Sequence, residues 1–160
     1  MEMSELLHED GVVANLKAGS KKQILQELSQ LAAKLTGMHE RTIFDVLLER
    51  ERLGTTGIGR GIAIPHGKLK DLDQLYGLFA RLEKPVDFDA IDDAPVDLIF
   101  LLLAPESAGA DHLKALARIS RLLRDETVCG RLRNSTRSEA LYALLLEPDQ
   151  PPQNRAARAS

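Results

Sequence analysis

Apolar residues recur at helical intervals over several segments of the chain and run together over a few shorter ones. Ile24, Leu25, Leu28, Leu31, Ala32 and Leu35 fall three and four apart, the spacing of a helix with one buried face. Ser20-Lys-Lys-Gln23 ahead of them has the capping-box spacing, and Gly37 behind them is a natural helix stop. A second helix is predicted from about Arg41 to Arg52, with Ile43, Val46, Leu47 and Arg50 on one face. Others are predicted over Asp111 to Arg124, about Glu126 to Asn134, and Ser138 to Leu146, the last behind a second capping box, Thr136-Arg-Ser-Glu139. Strands are predicted at Val12 to Leu16, Ile62 to Ile64, Leu75 to Arg81 and Val96 to Leu103. Leu98-Ile-Phe-Leu-Leu-Leu103 is apolar on both faces, as a central strand covered by helices on both sides must be. Pro85-Val86-Asp87-Phe88 and Ala94-Pro95 read as turn and edge segments.

Helices interleaved with strands predict an α/β fold. We expect a single domain over 1–147, with a central mixed parallel/antiparallel sheet of about five strands flanked by helices on both faces. From Pro148 to Ser160 no apolar period remains, and a disordered tail is expected over 148–160. There is no internal repeat.

Composition narrows the function classes. A chain of 160 residues with 44% hydrophobic and 28% charged positions suits one soluble domain. Its formal net charge of −3 lacks the basic imbalance of a nucleic-acid binder. The single cysteine, Cys129, excludes an internal disulfide and fits a reducing cytoplasm. The first ten residues lack a signal-peptide core, and the longest apolar run, Leu98 to Pro105, is too short to span a bilayer. A cytoplasmic location with no membrane partner is expected.

The candidate chemistry gathers between Leu53 and Lys70, where five of the eleven glycines stand at 54, 57, 59, 61 and 67. They frame Ile62-Ala63-Ile64, which Pro65 is expected to end, since proline lacks the N–H a ladder needs. His66 then sits at a strand end, either as a structural histidine or as a reactive imidazole whose intrinsic pKa near neutrality keeps a lone pair free. His112 opens a predicted helix at the head of its apolar stripe (112, 116, 119 and 123). It is either a half-buried core cap or a donor at a helix N-terminus, a place that favours anions. Arg50 is either a solvated helix-end charge or a forked donor pointing at the glycine loop. Other patterns fail on spacing. A Walker A loop would need glycine where Ile62 stands and a hydroxyl where Leu69 stands, and a Rossmann fingerprint starting at Gly57 fails at 62 as well. His8, His39, His66 and His112 show no metal-ligand spacing, so no metal site is expected. A hydrolase using His66 as general base has no paired acid or serine motif behind it.

Gly57-Ile-Gly-Arg-Gly-Ile-Ala-Ile-Pro-His-Gly67 resembles the active-site segment of the enzyme IIA proteins of the bacterial phosphotransferase system, mannitol/fructose type, and more narrowly their nitrogen-regulatory branch. Arg50-Glu-Arg-Leu-Gly-Thr-Thr-Gly57, Phe88-Asp-Ala-Ile-Asp-Asp-Ala-Pro-Val-Asp-Leu98 and Asp111-His-Leu113 extend the match across roughly residues 4–147. The resemblance implies a phosphocarrier whose phosphorylated residue is His66, reacting through Nε2 while Nδ1 is held by a backbone group. It implies that His112 assists transfer and that Arg50 steadies the phosphoryl group. The phosphate would arrive already activated from an HPr/NPr-type phosphohistidine carrier, without a cofactor, and the phosphorylation state would regulate partner proteins of unspecified identity. The alternative is a sugar-specific IIA that passes phosphate to a IIB component. Thr55 and Thr56 could offer hydroxyls to the same oxygens or merely shape the turn, and Arg60 could face solvent or the donor. Arg118, Arg121, Arg124, Arg131, Arg133 and Arg137 read as a solvated helix face or, less simply, a docking surface for an acidic partner.

Overall fold

The long apolar run forms the strand on which the rest is assembled. In a computed structural model describing residues 2–149, α1 (Met3–Leu6) leads into β1 (Leu7–Leu16), followed by α2 (Lys21–Thr36) and α3 (Glu40–Arg52). Three short strands come next, β2 (Gly57–Gly59), β3 (Ile62–Ala63) and β4 (His66–Leu69), then the long pair β5 (Tyr76–Val86) and β6 (Val96–Pro105). The chain closes with α4 (Ala110–Arg124), α5 (Glu126–Arg133) and α6 (Ser138–Leu146). The sheet has six strands in the order β1-β5-β6-β3-β2, with β4 also paired to β6. It is mixed: β5 runs antiparallel to β6 and β2 to β3, while β1 is parallel to β5, and β3 and β4 are parallel to β6.

Side chains alternate across a strand, and β6 uses both faces. Leu98, Phe100 and Leu102 enter one core with Ile119, Leu123, Leu132 and Leu141 from α4, α5 and α6. Ile99, Leu101 and Leu103 enter the other with Ile24, Leu25 and Leu28 from α2 and Ile43 and Leu47 from α3. The mixed sheet covered by helices on both faces is the architecture expected from the sequence.

The differences have local causes. The four-residue α1 is too short to show a period, although it buries Met3 and Leu6. β1 starts five residues early because it keeps pairing with β5 across a register shift between Leu7 and Val12, where Glu9 and Asp10 hide the pattern. Pro85 and Val86, expected in a turn, belong to β5, and Val86 pairs with Val96. β1 pairs with β5 only as far as Leu82, so Pro85 interrupts no ladder on that side. β3 does end ahead of Pro65, as expected, but the ladder on β6 resumes just past it. Ala63 pairs with Ile99 and His66 with Leu102 in one parallel register, and the Pro65 carbonyl still accepts from Leu102 N at 2.9 Å. Ser20 Oγ accepts from Gln23 N at 3.1 Å as predicted, but Gln23 Oε1 reaches back to Gly19 N at 2.9 Å. The second capping box does not form: the cap of α6 is Arg137, which makes no side-chain cap bond. Glu147–Asp149 is a single 3₁₀ turn at the start of the expected tail, and the rest of that tail lies outside the described residues. Among the described residues no helix is long and apolar enough to cross a membrane.

Candidate functional site

Three elements converge on His66. It opens β4 beside Leu102 of β6, and Gly67 next to it turns toward α3 with no side chain to hold that helix away. Arg50, near the end of α3, reaches back so that Nε donates to His66 Nε2 at 3.3 Å and Nη1 donates to the Gly54 carbonyl at 2.8 Å. On the other side His66 Nδ1 lies 2.8 Å from the Ile64 carbonyl. A carbonyl only accepts and a guanidinium only donates, so these partners select the tautomer with the proton on Nδ1 and the lone pair on Nε2.

His112, the third residue of α4, brings its ring to a centroid distance of 5.7 Å from that of His66, tilted by 52°. It is 8% exposed, and its Nδ1 has no hydrogen-bond partner among the described residues. Gly109 ahead of the helix has φ 57° and ψ −127°, a conformation that side chains resist, and this sharp entry aims the start of α4 at β4. The sequence thus pointed to three residues, 50, 66 and 112, that the fold brings together from α3, β4 and α4.

Both imidazoles are held below the ordinary histidine range. For His66 burial is the main cause, opposed by the bond to Ile64; Arg50 lowers the value further and Glu51 raises it. For His112 burial again leads, followed by the nearness of His66 and Lys68. The neutral form, the one with a usable lone pair, is therefore favoured at both positions.

The other sequence candidates fall elsewhere. Thr55 Oγ1 donates to the Phe88 carbonyl at 3.0 Å and accepts from Gly57 N at 3.0 Å, so it shapes the turn. Thr56 is buried and bonds the Glu51 carboxylate through its amide, at 3.2 Å, and through its hydroxyl. Arg60 (φ 57°) sends its guanidinium to Glu126 at 3.3 Å and to the Arg124 carbonyl at 3.4 Å, toward the α4–α5 junction. The arginine cluster is not one solvated face. Arg133 forks onto Asp97 at 2.9 and 3.0 Å and donates to the Arg60 carbonyl at 2.7 Å, while Arg131 pairs with Glu147 at 2.9 Å. Sequence reasoning gave no role to Glu51 or to Lys68. Lys68 stands two residues after His66 on the same strand face, a period-2 signal hidden because β4 was not predicted.

The site therefore offers a half-buried imidazole with one directed lone pair, a guanidinium already against it, a second neutral imidazole and the N-terminal end of a helix. That combination suits an electrophile that brings negative charge with it. Among the described residues no group of three or more His, Cys, Asp or Glu could hold a metal ion.

Residues 5–147 match the family model described as phosphoenolpyruvate-dependent sugar phosphotransferase system, EIIA 2, and the chain belongs to that family. It is a phosphoryl-transfer component of the IIA kind. Among its relatives, the nitrogen regulatory protein of Bradyrhizobium diazoefficiens is 57% identical over 148 residues, covering 92% of this chain and 97% of that one. The crystal structure of the nitrogen regulatory protein IIA-Ntr from Neisseria meningitidis superposes with a TM-score of 0.85 at 36% identity, covering 89% of this chain and 98% of that one. The mannitol IIA of Escherichia coli, solved in complex with phosphorylated IIB, shares the fold (TM-score 0.75, 23% identity, 88% and 98% coverage).

Proposed function

We propose that this protein accepts a phosphoryl group on His66 Nε2 from an HPr/NPr-type phosphohistidine protein, and that its phosphorylation state is the signal read by regulatory partners. The observation that carries the proposal is the one-sided presentation of the imidazole, with Nδ1 tied to Ile64, Nε2 against Arg50 and the His112 ring 5.7 Å away. In the transfer, the Nε2 lone pair forms the new N–P bond as the N–P bond to the donor imidazole breaks. The donor ring leaves with that electron pair, and the His66 proton stays on Nδ1 against Ile64. The incoming group displaces the contact between Arg50 and Nε2, and the guanidinium turns its donors to the phosphoryl oxygens. His112 and the N-terminal amides of α4 supply further donors on the opposite side. Such a step needs positioning and charge neutralisation, so no cofactor is required. The protein is then a stoichiometric carrier, and its single cysteine suits a reducing cytoplasm.

Relatives named nitrogen regulatory protein support the regulatory reading. A second reading, a sugar-specific IIA that passes phosphate to IIB, draws on the mannitol IIA seen with its phosphorylated IIB. The test is incubation with a radiolabelled, phosphorylated HPr-type donor, followed by addition of fructose- and mannitol-type IIB proteins. The expected result is labelling of the wild type, slower labelling of His112→Ala, none of His66→Ala, and no onward transfer to IIB. Label retained by His66→Ala would remove the assignment, and rapid passage to a IIB would favour the second reading.

A further inference from the structure

Behind the imidazole lies a second set of charges that faces inward. Glu51 follows Arg50 in α3, yet its side chain is only 3% exposed. Its carboxylate takes Lys21 Nζ at 2.6 Å, Thr56 N at 3.2 Å from each oxygen, and the Thr56 hydroxyl. Lys21, the first residue of α2, also lies 4.8 Å over the Phe88 ring and 3.9 Å from Asp89. A buried ion pair gains little stability over an apolar pair of the same shape, because desolvation cancels most of the attraction. What this one does is fix geometry.

The hydrogen bonds continue from the carboxylate to the imidazole. Thr56, clamped by Glu51, accepts from Ile64 N through its carbonyl at 2.9 Å, and the Ile64 carbonyl in turn holds His66 Nδ1 at 2.8 Å. On the opposite side of the ring Arg50, the neighbour of Glu51, holds Nε2. Of the two bonds that set the direction and tautomer of His66, one comes from the residue next to Glu51 and the other is reached from its carboxylate through Thr56 and Ile64.

We propose that Glu51, with Lys21 and Thr56, is the positioning group of the transfer: it locks the Ile64 carbonyl and the base of Arg50 so that His66 presents Nε2 alone. This rests on the reading of His66 as the phosphoryl acceptor. Lys21 has its own part. An unpaired carboxylate next to Arg50 would repel the incoming anion, and the lysine offsets part of that field while leaving the hydrogen bonds in place. The raising influence of Glu51 on His66 fits this nearness.

The experiment compares wild type, Glu51→Gln, Lys21→Met and Thr56→Val in two readouts. One is ¹⁵N NMR of the unphosphorylated protein, which reports the His66 tautomer and titration without any donor. The other is the labelling rate from phosphorylated HPr as a function of donor concentration. Glu51→Gln is expected to mix the tautomers and slow labelling at saturating donor by about 10- to 100-fold, the scale of a lost alignment, with half-saturation unchanged. Lys21→Met is expected to raise the His66 titration point and slow labelling. Thr56→Val, which removes only one donor, is expected to shift both readouts in the Glu51→Gln direction and covers the outcome in which Glu51→Gln does not fold. Folded variants with wild-type tautomer and rate would overturn the proposal. A wild type that takes no label at all would instead remove the acceptor reading, while the tautomer comparison would still report whether Glu51 orients the ring.

Discussion

Gly67→Ala tests how closely α3 must approach β4, the strand that carries His66. A Cβ built at Gly67 would lie 2.5 Å from Val46 Cγ1 and 3.8 Å from Leu47 Cδ2. To recover ordinary contact Val46 must retreat by about 1 Å, and a close-packed interior offers no void to absorb that movement. Rotation is a poor escape, because a helical valine has one strongly preferred χ1 rotamer. The strain therefore falls on the α3–β4 spacing, at a cost of about 1–3 kcal/mol for an overpacked site. Arg50 lies one helical turn beyond Val46 and rides on the same helix, so the Arg50–His66 contact opens with it. A misplacement of about 1 Å in a reacting pair costs on the order of 100-fold in rate. Urea unfolding and the rate of labelling from a phosphorylated HPr-type donor measure the two effects. Gly67→Ala/Val46→Ala removes the clash, and its rate is expected to return close to that of Val46→Ala alone. A Gly67→Ala protein with wild-type unfolding and wild-type rate would refute the reasoning, as would a double variant no faster than the single.

Arg50→Lys keeps the charge but cannot bond His66 and the Gly54 carbonyl together; labelling is expected to slow about tenfold while the urea midpoint holds. Because His66 and His112 sit below the ordinary value of 6.5 in the folded protein, the unfolded chain binds more protons as pH falls past that value. Stability is expected to decrease on acidification below 6.5, and His66→Gln/His112→Gln to lessen the slope in urea titrations run at successive pH values. Asp125 accepts from Thr127 N at 2.9 Å and Val128 N at 3.3 Å, so Asp125→Ala is expected to lower unfolding free energy by about 1 kcal/mol without changing the labelling rate. Gly109→Ala places a side chain at φ 57° in open space; it is expected to destabilise by about 1–3 kcal/mol from backbone strain alone and to slow labelling by displacing His112.

Long periodic segments carried the fold. α2, α3 and α4 were legible because each repeats its apolar spacing over two or more turns, and β6 because it is apolar on both faces. What escaped was set by pairing at a distance. β4 has one buried apolar side chain, Leu69, and stands just after a proline, so only the β6 ladder reveals it. Pro85 likewise sits in a strand because β1 has already stopped pairing there. At the site, residues 50, 66 and 112 were named through the family motifs that carry them, since taken alone each also reads as a helix-end charge, a structural histidine or a core cap. Glu51 was not. Between Arg50 and Arg52 it looks like one more solvated helix-end charge, and only the fold shows it buried against Lys21 from another helix. Thr56 also reads as a turn residue until its hydroxyl is seen on that carboxylate.

The central claim is that Nε2 of His66 is the phosphoryl acceptor. The most direct measurement is ³¹P–¹⁵N NMR, with tandem mass spectrometry, on the protein labelled by a phosphorylated HPr-type donor. The account predicts one acid-labile phosphate bonded to Nε2 of His66. A phosphate on His112, on Nδ1 of His66, or on a hydroxyl as an acid-stable ester would contradict it.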